Sequence, residues 1–262
     1  MSDASIPVAL VTGASSGIGM AIAERLLADG LHVVAAARRL ERMDQLRQGG
    51  ALVTALDISR EGSLQTLMGT VMERHQRLDV LVNNAGYGCY GSIEETPIAE
   101  ARAQFEVNLF GLARLTQLTL PQMRQRGSGR IINISSMGGR IYSPMGAWYH
   151  ASKHALEGWS DCLRLEVKRF GIDVVIVEPG LIQSEFAAVM MQPLLRRSGE
   201  GPYAPLVQRL VGAFERSFGS STSPASVVAE VVSRAVRVPR PQTRYVVGSL
   251  ARPLLFMRHW LG

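Results

Sequence analysis

The sequence predicts one α/β domain built on a mostly parallel, doubly wound β-sheet with helices on both faces. Short apolar runs rich in β-branched residues alternate with longer amphipathic runs, which is the rhythm of βα units. The short runs are apolar at successive positions, as expected of strands covered on both faces. With 262 residues, 47% of them hydrophobic and 19% charged, the chain is long enough for one such domain with a sizeable core.

Seven segments have the pattern of strands: residues 8–11, 32–37, 52–56, 80–82, 130–134, 174–177 and 244–247. Helical patterns separate them, beginning with residues 17–29. Ser223 as cap and Pro224 in the first turn predict a further helix that ends near residue 236. Residues 185–223 break the rhythm, because this segment is apolar but irregular and is interrupted by glycine and proline. A mobile cover over a pocket is expected to look like this.

Composition argues against several classes of protein. The opening segment, residues 1–6, has no basic region or cleavage site, and no apolar run is long enough to span a membrane, so we expect a cytoplasmic protein. The two cysteines, Cys89 and Cys162, have no metal-ligand spacing and are expected to be packing residues; no metal site is predicted. The net charge of +6 comes from bases that we interpret as scattered over solvated helix faces, which disfavours a nucleic-acid partner.

A glycine-rich turn follows the first strand and leads directly into a helix. Its residues read Thr12-Gly13-Ala14-Ser15-Ser16-Gly17-Ile18-Gly19. Glycines allow the backbone to approach a pyrophosphate, whose charge is met by free N–H groups and the positive end of the helix dipole. A glycine cluster also serves plain turns, so the position after a strand carries the argument. The candidate cofactor-binding residues here are Gly13, Ser15, Ser16, Gly17, Ile18 and Gly19.

A tyrosine and a lysine lie four residues apart at Tyr149 and Lys153, on one face of a predicted helix. An ammonium beside a phenol favours the ionised phenol, so Lys153 is expected to lower the pKa of Tyr149 and prepare it for proton transfer. A surface pair at this spacing is the alternative. However, lysine occurs only at positions 153 and 168 among 28 basic residues, which makes a chance match less plausible.

From the glycine turn onward the chain resembles the short-chain dehydrogenase/reductase family. The resemblance rests on the T-G-x-x-x-G-x-G turn, Asn83-Asn84-Ala85-Gly86, the strand-end serines, Y-x-x-x-K and Pro179-Gly180, in that order between residues 8 and 184. It implies a Rossmann fold and an enzyme that moves a hydride between a nicotinamide and a carbonyl or alcohol carbon.

The resemblance also implies roles for individual residues. The family places its serine 13 residues before the tyrosine, which selects Ser136 to polarise the substrate carbonyl and leaves Ser135 as the runner-up. Asn108 matches the family's helix asparagine, which helps to bind the water that links the lysine to solvent; a helix asparagine that bonds to the backbone is the alternative. Lys153 would also bind the nicotinamide ribose. The remaining implied cofactor-binding residues are Asp57, Ile58, Asn84, Ala85, Gly86, Pro179, Gly180, Ile182 and Ser184.

The end of the second strand favours NADP(H) over NAD(H). An NAD-selective site normally has an acid here for the ribose hydroxyls, whereas this chain has Arg38 and Arg39. A basic pair at a helix start opposes the helix dipole and so needs another reason, and Arg38 is the candidate for a 2′-phosphate. Solvation of a helix start is the alternative reading.

The substrate is expected to be a bulky hydrophobic ketone or secondary alcohol, such as a steroid-like, retinoid-like or long aliphatic compound. Residues 185–223 are dense in apolar side chains, including Met190 and Leu194, and we interpret them as a lid over an apolar site. An ordinary helix pair packed on the core is the alternative. The lid, a C-terminal extension over residues 249–262, and the Asn84–Gly88 segment look most like the hydroxysteroid and retinol dehydrogenase branch.

Two rival functions and the assembly remain open at this point. One rival is a 3-oxoacyl-thioester reductase of fatty acid or polyketide metabolism; the other is a non-catalytic NADP(H)-binding sensor, although such proteins commonly lose the tyrosine or lysine that is kept here. The resemblance implies a homodimer or homotetramer that pairs through the helices following Asn108 and Tyr149. The helix from Tyr149 to Phe170 supports this, since it carries apolar residues over a broad arc: Ala155, Leu156, Trp159, Leu163 and Val167.

Overall fold

The computed structural model describes residues 6–220 and 222–261, and its centre is a parallel seven-stranded sheet. The strands are β1 Val8–Thr12, β2 His32–Ala37, β3 Leu52–Ala55, β4 Val80–Asn83, β5 Gly129–Ile134, β6 Ile172–Pro179 and β7 Arg244–Val247. Their order across the sheet is β3-β2-β1-β4-β5-β6-β7. The chain therefore moves outward from β1 in one direction, returns to the centre and moves outward in the other. The doubly wound fold that the sequence predicts is confirmed.

The helices alternate with the strands and cover both faces of the sheet. Their bounds are α1 Gly17–Ala28, α2 Asp44–Gln48, α3 Glu61–His75, α4 Ile98–Phe105, α5 Gly111–Arg126, α6 Ala147–Val167, α7 Phe186–Ser198, α8 Ala204–Ser220, α9 Ser226–Arg237 and α10 Ala251–Leu261. Alternate residues of β1 supply two cores: Ala9 and Val11 pack with α1 and α9, while Val8 and Leu10 pack with α3, α5 and α6. Burial on both faces explains why the central strands β1, β2, β4 and β6 are largely apolar.

The segment that we predicted to be irregular is a pair of helices, so that part of the prediction is wrong. Within residues 185–223 the chain forms α7 and α8, and only residues 199–203 between them are non-helical. Pro193 lies inside α7 and Pro205 in the first turn of α8, where a proline costs no helical hydrogen bond. Pro205 was therefore misread as a break, whereas Pro202 does lie between the two helices.

The predicted start of α9 is also wrong by two residues. The helix begins at Ser226, and Ala225 occupies the cap position. Ser223 instead pairs with the loop after β6, because its N–H donates to the Leu181 carbonyl at 3.0 Å and its hydroxyl lies 3.0 Å from that of Ser249. Ser223 therefore forms a β-bridge with Ile182 and does not cap the helix.

The environment of two sequence features differs from expectation. Cys89 is buried as predicted, but Cys162 is exposed on α6 and does not pack in the core. Of the apolar side chains on α6 that were expected to need a partner subunit, Leu156, Leu163 and Val167 are buried within the chain itself. The apolar arc of this helix is therefore largely explained by its own fold.

Three predictions fall partly outside the described residues: those for the opening segment at Met1–Ser5, for the lid at Ser221 and for the C-terminal extension at Gly262. Among the helices that are described, none has the length and apolarity to cross a membrane.

Candidate active site

The candidate residues meet at the carboxyl ends of the parallel strands. A cleft of about 780 Å³ opens there and reaches from the glycine turn after β1 to α7 and α8. From β1 the strand order continues through β2 on one side and through β4 on the other. Doubly wound sheets bind ligands at the point where the strand order reverses in this way. Every site residue predicted from the sequence lines this cleft except Asn108, which lies buried beneath it.

The glycine turn has the conformation that glycine alone adopts readily. Gly13 and Gly17 have φ angles of +69° and +54°. At Gly19, an added Cβ would lie 2.3 Å from the Gly13 carbonyl oxygen and 2.4 Å from Nδ2 of Asn84. The turn, the first residues of α1 and the Asn84 loop are therefore in direct contact. This contact leaves the helix N-terminus open toward the cleft, as an anionic ligand requires.

The loop after β4 is held against the glycine turn by polar side chains. Asn84 donates from Nδ2 to the Thr12 carbonyl at 2.9 Å, and the Thr12 hydroxyl accepts from the backbone N–H groups of Asn84 and Ala85 at 3.0 and 3.1 Å. Asn83 donates to Asn133 on β5 at 2.9 Å. These bonds place Ala85 and Gly86 on the floor of the cleft.

The basic pair after β2 lies at the far end of the cleft. Arg39 reaches back to the glycine turn, where its Nη2 is 3.2 Å from the Ser16 hydroxyl. The same guanidinium donates to Glu185 at 3.3 Å, and Arg42 donates to the other oxygen of Glu185 at 2.6 Å. Arg38 lines the cleft beside them. Neither Arg39 nor Glu185 was assigned a binding role from the sequence, because their contact joins segments 146 residues apart.

Asp57 and Ile58 follow β3 and line the same end of the cleft. The Asp57 carboxylate accepts from the hydroxyl and backbone N–H of Ser59 at 2.7 and 3.1 Å, and these hydrogen bonds hold its pKa below the usual value despite partial burial. Arg38 and Arg60 contribute to the same lowering. Because the Asp57 carboxylate is already hydrogen-bonded to Ser59, Arg38 and Arg39 are the main charged groups available to a ligand at this end of the cleft.

Tyr149, Ser136 and Lys153 come together at the centre of the cleft. Tyr149 lies in the first turn of α6, and Lys153 lies one turn later with its Nζ donating to the Ile134 carbonyl at 2.9 Å. Ser136 caps the 3-10 turn Met137–Gly139, accepts from the Gly138 N–H at 3.0 Å and hydrogen-bonds with Tyr149. Ser135, the runner-up, has a buried hydroxyl and is bonded through its N–H to Val177.

Burial determines the protonation of this group. It raises the pKa of Tyr149 to about 12, although the hydrogen bond with Ser136 opposes the shift. The expected lowering of the tyrosine pKa by Lys153 is therefore not found. Burial also lowers the pKa of Lys153 to about 8, while the Glu157 carboxylate one turn further along α6 acts to raise it. At neutral pH the phenol holds its proton and most of the lysine is charged.

Asn108 lies in a π-helical turn, Glu106–Phe110, between α4 and α5. Its Nδ2 donates to the Tyr87 carbonyl at 3.0 Å and to the Ser152 hydroxyl at 3.1 Å, and its Oδ1 accepts from the Tyr87 N–H at 3.1 Å. The side chain thus bonds across to the loop after β4 and to α6 rather than back to its own helix. A π-turn is common at functional positions because it redirects one side chain.

The loop after β6 forms the wall opposite the glycine turn. Pro179, Gly180, Ile182 and Ser184 all line the cleft. Gly180 has no room for a side chain, since a Cβ would lie 2.1 Å from the Ser249 carbonyl oxygen. The Ser184 hydroxyl accepts from the Phe186 N–H at 3.3 Å and so fixes the start of α7.

Apolar side chains from α7 and α8 close the cleft above Tyr149. Met190, Leu194 and Val207 form a buried cluster with Tyr90, Met145 and Tyr149, and the Phe186 ring lies 5.4 Å from that of Tyr149. Phe186, Val189, Met190, Leu210, Ala213 and Phe214 line the cleft itself. Leu194 does not, because it is fully buried between the helices. The helix pair is therefore both packed on the core and in contact with the cleft.

Comparison with known proteins agrees with this geometry. A family model described as short chain dehydrogenase matches residues 7–193. A probable short-chain type dehydrogenase/reductase of Helicobacter pylori, VdlC, is 33% identical over 95% of this chain and 90% of its own length. A 3-ketodihydrosphingosine reductase of Bacteroides thetaiotaomicron is 32% identical over 97% of this chain and 93% of its own.

Solved structures similar to this chain contain either nicotinamide cofactor. A variant of actinorhodin polyketide ketoreductase, solved with NADPH, is 33% identical, has a TM-score of 0.80 and covers 94% of this chain and 97% of its own. A short-chain dehydrogenase/reductase of Burkholderia phymatum, solved with NAD, is 25% identical, has a TM-score of 0.79 and covers 98% and 92%. The similarity therefore extends over the whole fold but does not select one cofactor.

Proposed function

The chain belongs to the short-chain dehydrogenase/reductase family, and on that premise we propose that it is an NADP(H)-dependent oxidoreductase for a bulky hydrophobic ketone or secondary alcohol. The observation that carries the proposal is the apolar roof of α7 and α8 over Tyr149, at one end of a cleft whose other end holds Arg38 and Arg39.

The chemistry divides between the cofactor and three side chains. The cofactor, when bound, supplies or takes up the hydride. In the reductive direction, the hydroxyls of Ser136 and Tyr149 donate hydrogen bonds to the substrate oxygen, which gains negative charge in the transition state. Tyr149 then gives up its proton, and its high pKa keeps that proton in place at neutral pH until the charge develops. Lys153, charged at neutral pH, stabilises the resulting phenolate.

The residues of the cleft fit a dinucleotide with a 2′-phosphate. The glycine turn would hold the pyrophosphate at the N-terminus of α1. Arg39 and Arg42 already hold the Glu185 carboxylate, which indicates that this end of the cleft favours an anion. Arg38 lines the same end and is suited to the phosphate, since a guanidinium binds phosphate through two parallel hydrogen bonds.

Replacing Arg38 by Asp tests the cofactor. We expect Arg38→Asp to weaken NADPH binding by roughly tenfold or more, because a carboxylate repels the phosphate, and to affect NADH much less. Arg47→Asp is the matched control, since Arg47 is exposed on α2 and does not line the cleft. Equal losses for NADPH and NADH would show that Arg38 does not bind the 2′-phosphate.

The substrate class is tested by size and polarity. A series of ketones of increasing apolar length should show rising kcat/KM, because a pocket with an apolar roof gains binding from each buried methylene. Met190→Ser should flatten the rise, since Met190 lines the cleft, whereas Gln192→Ser on the exposed side of α7 should not. If small polar ketones are preferred and Met190→Ser leaves the ranking unchanged, the substrate class is wrong.

A 3-oxoacyl-thioester is the second candidate substrate, because the chain is similar to a polyketide ketoreductase over nearly its whole length. The same series decides between them when a 3-oxoacyl thioester is included. A kcat/KM for the thioester well above that for ketones of equal apolar length would favour the second candidate.

A further inference from the structure

The positive charge of this chain is concentrated at its C-terminus. The first 230 residues hold 22 basic and 22 acidic side chains, whereas residues 231–262 hold six arginines and no acid. Most of the bases are spread along the chain, as expected, but the net charge of +6 comes from residues 231–262. Two of the six are used inside the fold: Arg244 pairs with Glu157 and Asp161, and Arg237 lies near Asp29. The others are Arg234, Arg240, Arg252 and Arg258.

Three of these four arginines surround one cavity. A cavity of about 380 Å³ lies between α9, β7 and the start of α10, and Arg234, Arg240 and Arg252 line it together with Gln242 and Tyr245. No acidic side chain is among its lining residues within the described chain. Such a concentration of guanidinium groups is complementary to phosphate-bearing, negatively charged groups.

The outer face of α10 continues this basic surface with exposed apolar side chains. Arg252, Phe256 and Trp260 follow one another at intervals of four residues and so lie along one stripe of the helix. Phe256 and Trp260 are 65% and 67% exposed, and their rings are 6.3 Å apart. Met257 beside them is 51% exposed. An exposed Trp and Phe next to arginines is the composition of helices that lie in the interface of a bilayer.

The inner face of the same helix borders the catalytic cleft. Leu250 and Leu254 line the cleft, and Tyr142, which also lines it, is covered by the Arg258 guanidinium at 5.1 Å from its ring. The helix thus has one face toward the site of chemistry and the opposite face toward the surroundings of the protein. A hydrophobic compound dissolved in a bilayer at the outer face would have a short path to the cleft.

We propose that the outer face of α10 and the arginine-lined cavity beside it form a docking surface for an anionic lipid bilayer. Phe256, Met257 and Trp260 enter the interfacial region, and the arginines hold lipid phosphate and anionic headgroups. The docking itself is independent of the substrate. Its use, the delivery of a lipophilic ketone or alcohol from the bilayer, rests on the function proposed above.

Flotation of the full chain with lipid vesicles tests the docking. Vesicles of phosphatidylcholine mixed with phosphatidylglycerol should carry the protein, vesicles of phosphatidylcholine alone should carry much less, and high salt should release it. The double change Phe256→Ser and Trp260→Ser should lower the partition by roughly tenfold or more, because both apolar anchors are lost. The double change Arg240→Gln and Arg252→Gln should remove most of the preference for the anionic lipid.

Two controls separate docking from misfolding and from catalysis. Ile93→Ser and Arg102→Gln change an exposed apolar and an exposed basic residue elsewhere and should leave flotation unchanged. Retained NADPH binding and turnover of a small water-soluble ketone would show that the α10 variants are folded. If the parent protein showed no turnover of any ketone, that result would count against the proposed function. It would not count against docking, because flotation needs no reaction.

Insertion has its own optical signature. Lipids brominated in the acyl chains should quench tryptophan fluorescence of the bound protein, and Trp260→Phe should remove most of the quenching while flotation persists. The proposal is overturned if the parent does not float with anionic vesicles, or if both double variants float as the parent does. It is also overturned if light scattering shows that the Phe256 and Trp260 changes dissociate an oligomer that does not bind vesicles, since that face would then join two copies of the chain.

Discussion

At the scale of single residues, the proton of Tyr149 is the centre of the proposed chemistry. Replacing Tyr149 by Phe removes the hydroxyl but keeps the ring that packs against Phe186 and Tyr90. We expect turnover to fall by about 100-fold or more, the usual contribution of general acid catalysis, and NADPH affinity to stay nearly constant. Steady-state kinetics together with fluorescence titration of NADPH measure the two effects separately.

Tyr142→Phe is the matched control for that change. Tyr142 lies in the same cleft but is 65% exposed and has no lysine four residues further along the chain. Its loss should leave turnover within a few-fold of the parent. Unchanged turnover in Tyr149→Phe would remove the tyrosine from the mechanism.

Glu157 is a positioning residue whose effect is visible in the pH profile. Its carboxylate raises the pKa of Lys153, which burial has lowered to about 8, and Arg244 holds it in place at 3.1 Å. In Glu157→Gln the raising contribution is lost, so the pKa of Lys153 falls and the ammonium loses its proton at lower pH. The alkaline limb of the kcat/KM profile should therefore move toward lower pH.

The matched control is Glu166→Gln, which changes an exposed acid on the same helix and should leave the alkaline limb where it is. A merely structural role for Glu157 predicts a lower Tm with the limb unmoved. That result would contradict the electrostatic link between Glu157 and Lys153.

At the scale of elements, the glycine turn depends on close contact of the α1 backbone at Gly19 with the Gly13 carbonyl and the Asn84 side chain. Gly19→Ala places a methyl group 2.3 Å from the Gly13 carbonyl oxygen, so the turn has to shift. Overpacking of this kind costs about 1–3 kcal/mol, and the shift should also weaken NADPH binding because the same backbone faces the cleft. Thermal unfolding and NADPH titration measure both effects.

Gly69 in α3 provides the opposite case. A Cβ at this position meets no atom within 4 Å, and the residue lies inside a helix. Gly69→Ala should therefore stabilise the fold by roughly 0.5–1 kcal/mol, because alanine loses less backbone freedom on folding. If both glycine changes had the same effect on Tm, close contact at Gly19 would not be the reason for its presence.

The same scale shows where sequence reasoning succeeds and where it fails. All seven strands were predicted within a few residues. Burial on both faces gives β1, β2, β4 and β6 a nearly continuous apolar run that is visible locally. The helices α7 and α8 were predicted to be irregular because Pro205 looks like a break in the sequence, whereas it lies in the first turn of α8 and packing on Tyr90 and Met145 stabilises the helices. Here tertiary packing outweighs the local preference of proline to interrupt a helix.

The candidate site was likewise predictable only in part. The order of the motifs predicted residues that the structure brings to one cleft, since strand ends in a parallel sheet share an edge. The hydrogen bond between Arg39 and Glu185 was not predictable, because no local pattern links a residue after β2 with one just before α7. The pKa of Tyr149 was misjudged for a related reason: burial, which a spacing of four residues cannot report, raises it, and only the hydrogen bond with Ser136 opposes the shift.

At the scale of the whole molecule, the remaining question is how copies of the chain assemble. The apolar residues of α6 that the sequence analysis assigned to a partner are mostly buried in the chain itself, but Leu165 on the same helix is 79% exposed. Phe110, just before α5, is 53% exposed. Both lie at the helices through which we expect a homodimer or homotetramer to form, and covering such side chains contributes about 25 cal/mol per Å² of apolar surface.

We therefore expect the parent protein to be a dimer or tetramer in light scattering at micromolar concentration, and Leu165→Glu combined with Phe110→Ser to shift it to a smaller species. A carboxylate at position 165 would have to be desolvated in the interface, which opposes association far more than the loss of contact alone. Ile93→Ser, at a position that is 68% exposed but lies away from α5 and α6, should leave the mass unchanged. Because the pair of changes lies apart from α10, vesicle flotation of the dissociated variant should persist if α10 is a lipid-facing surface. A parent that is already monomeric at this concentration would contradict the assembly, and the hydride chemistry would then have to be complete within one chain.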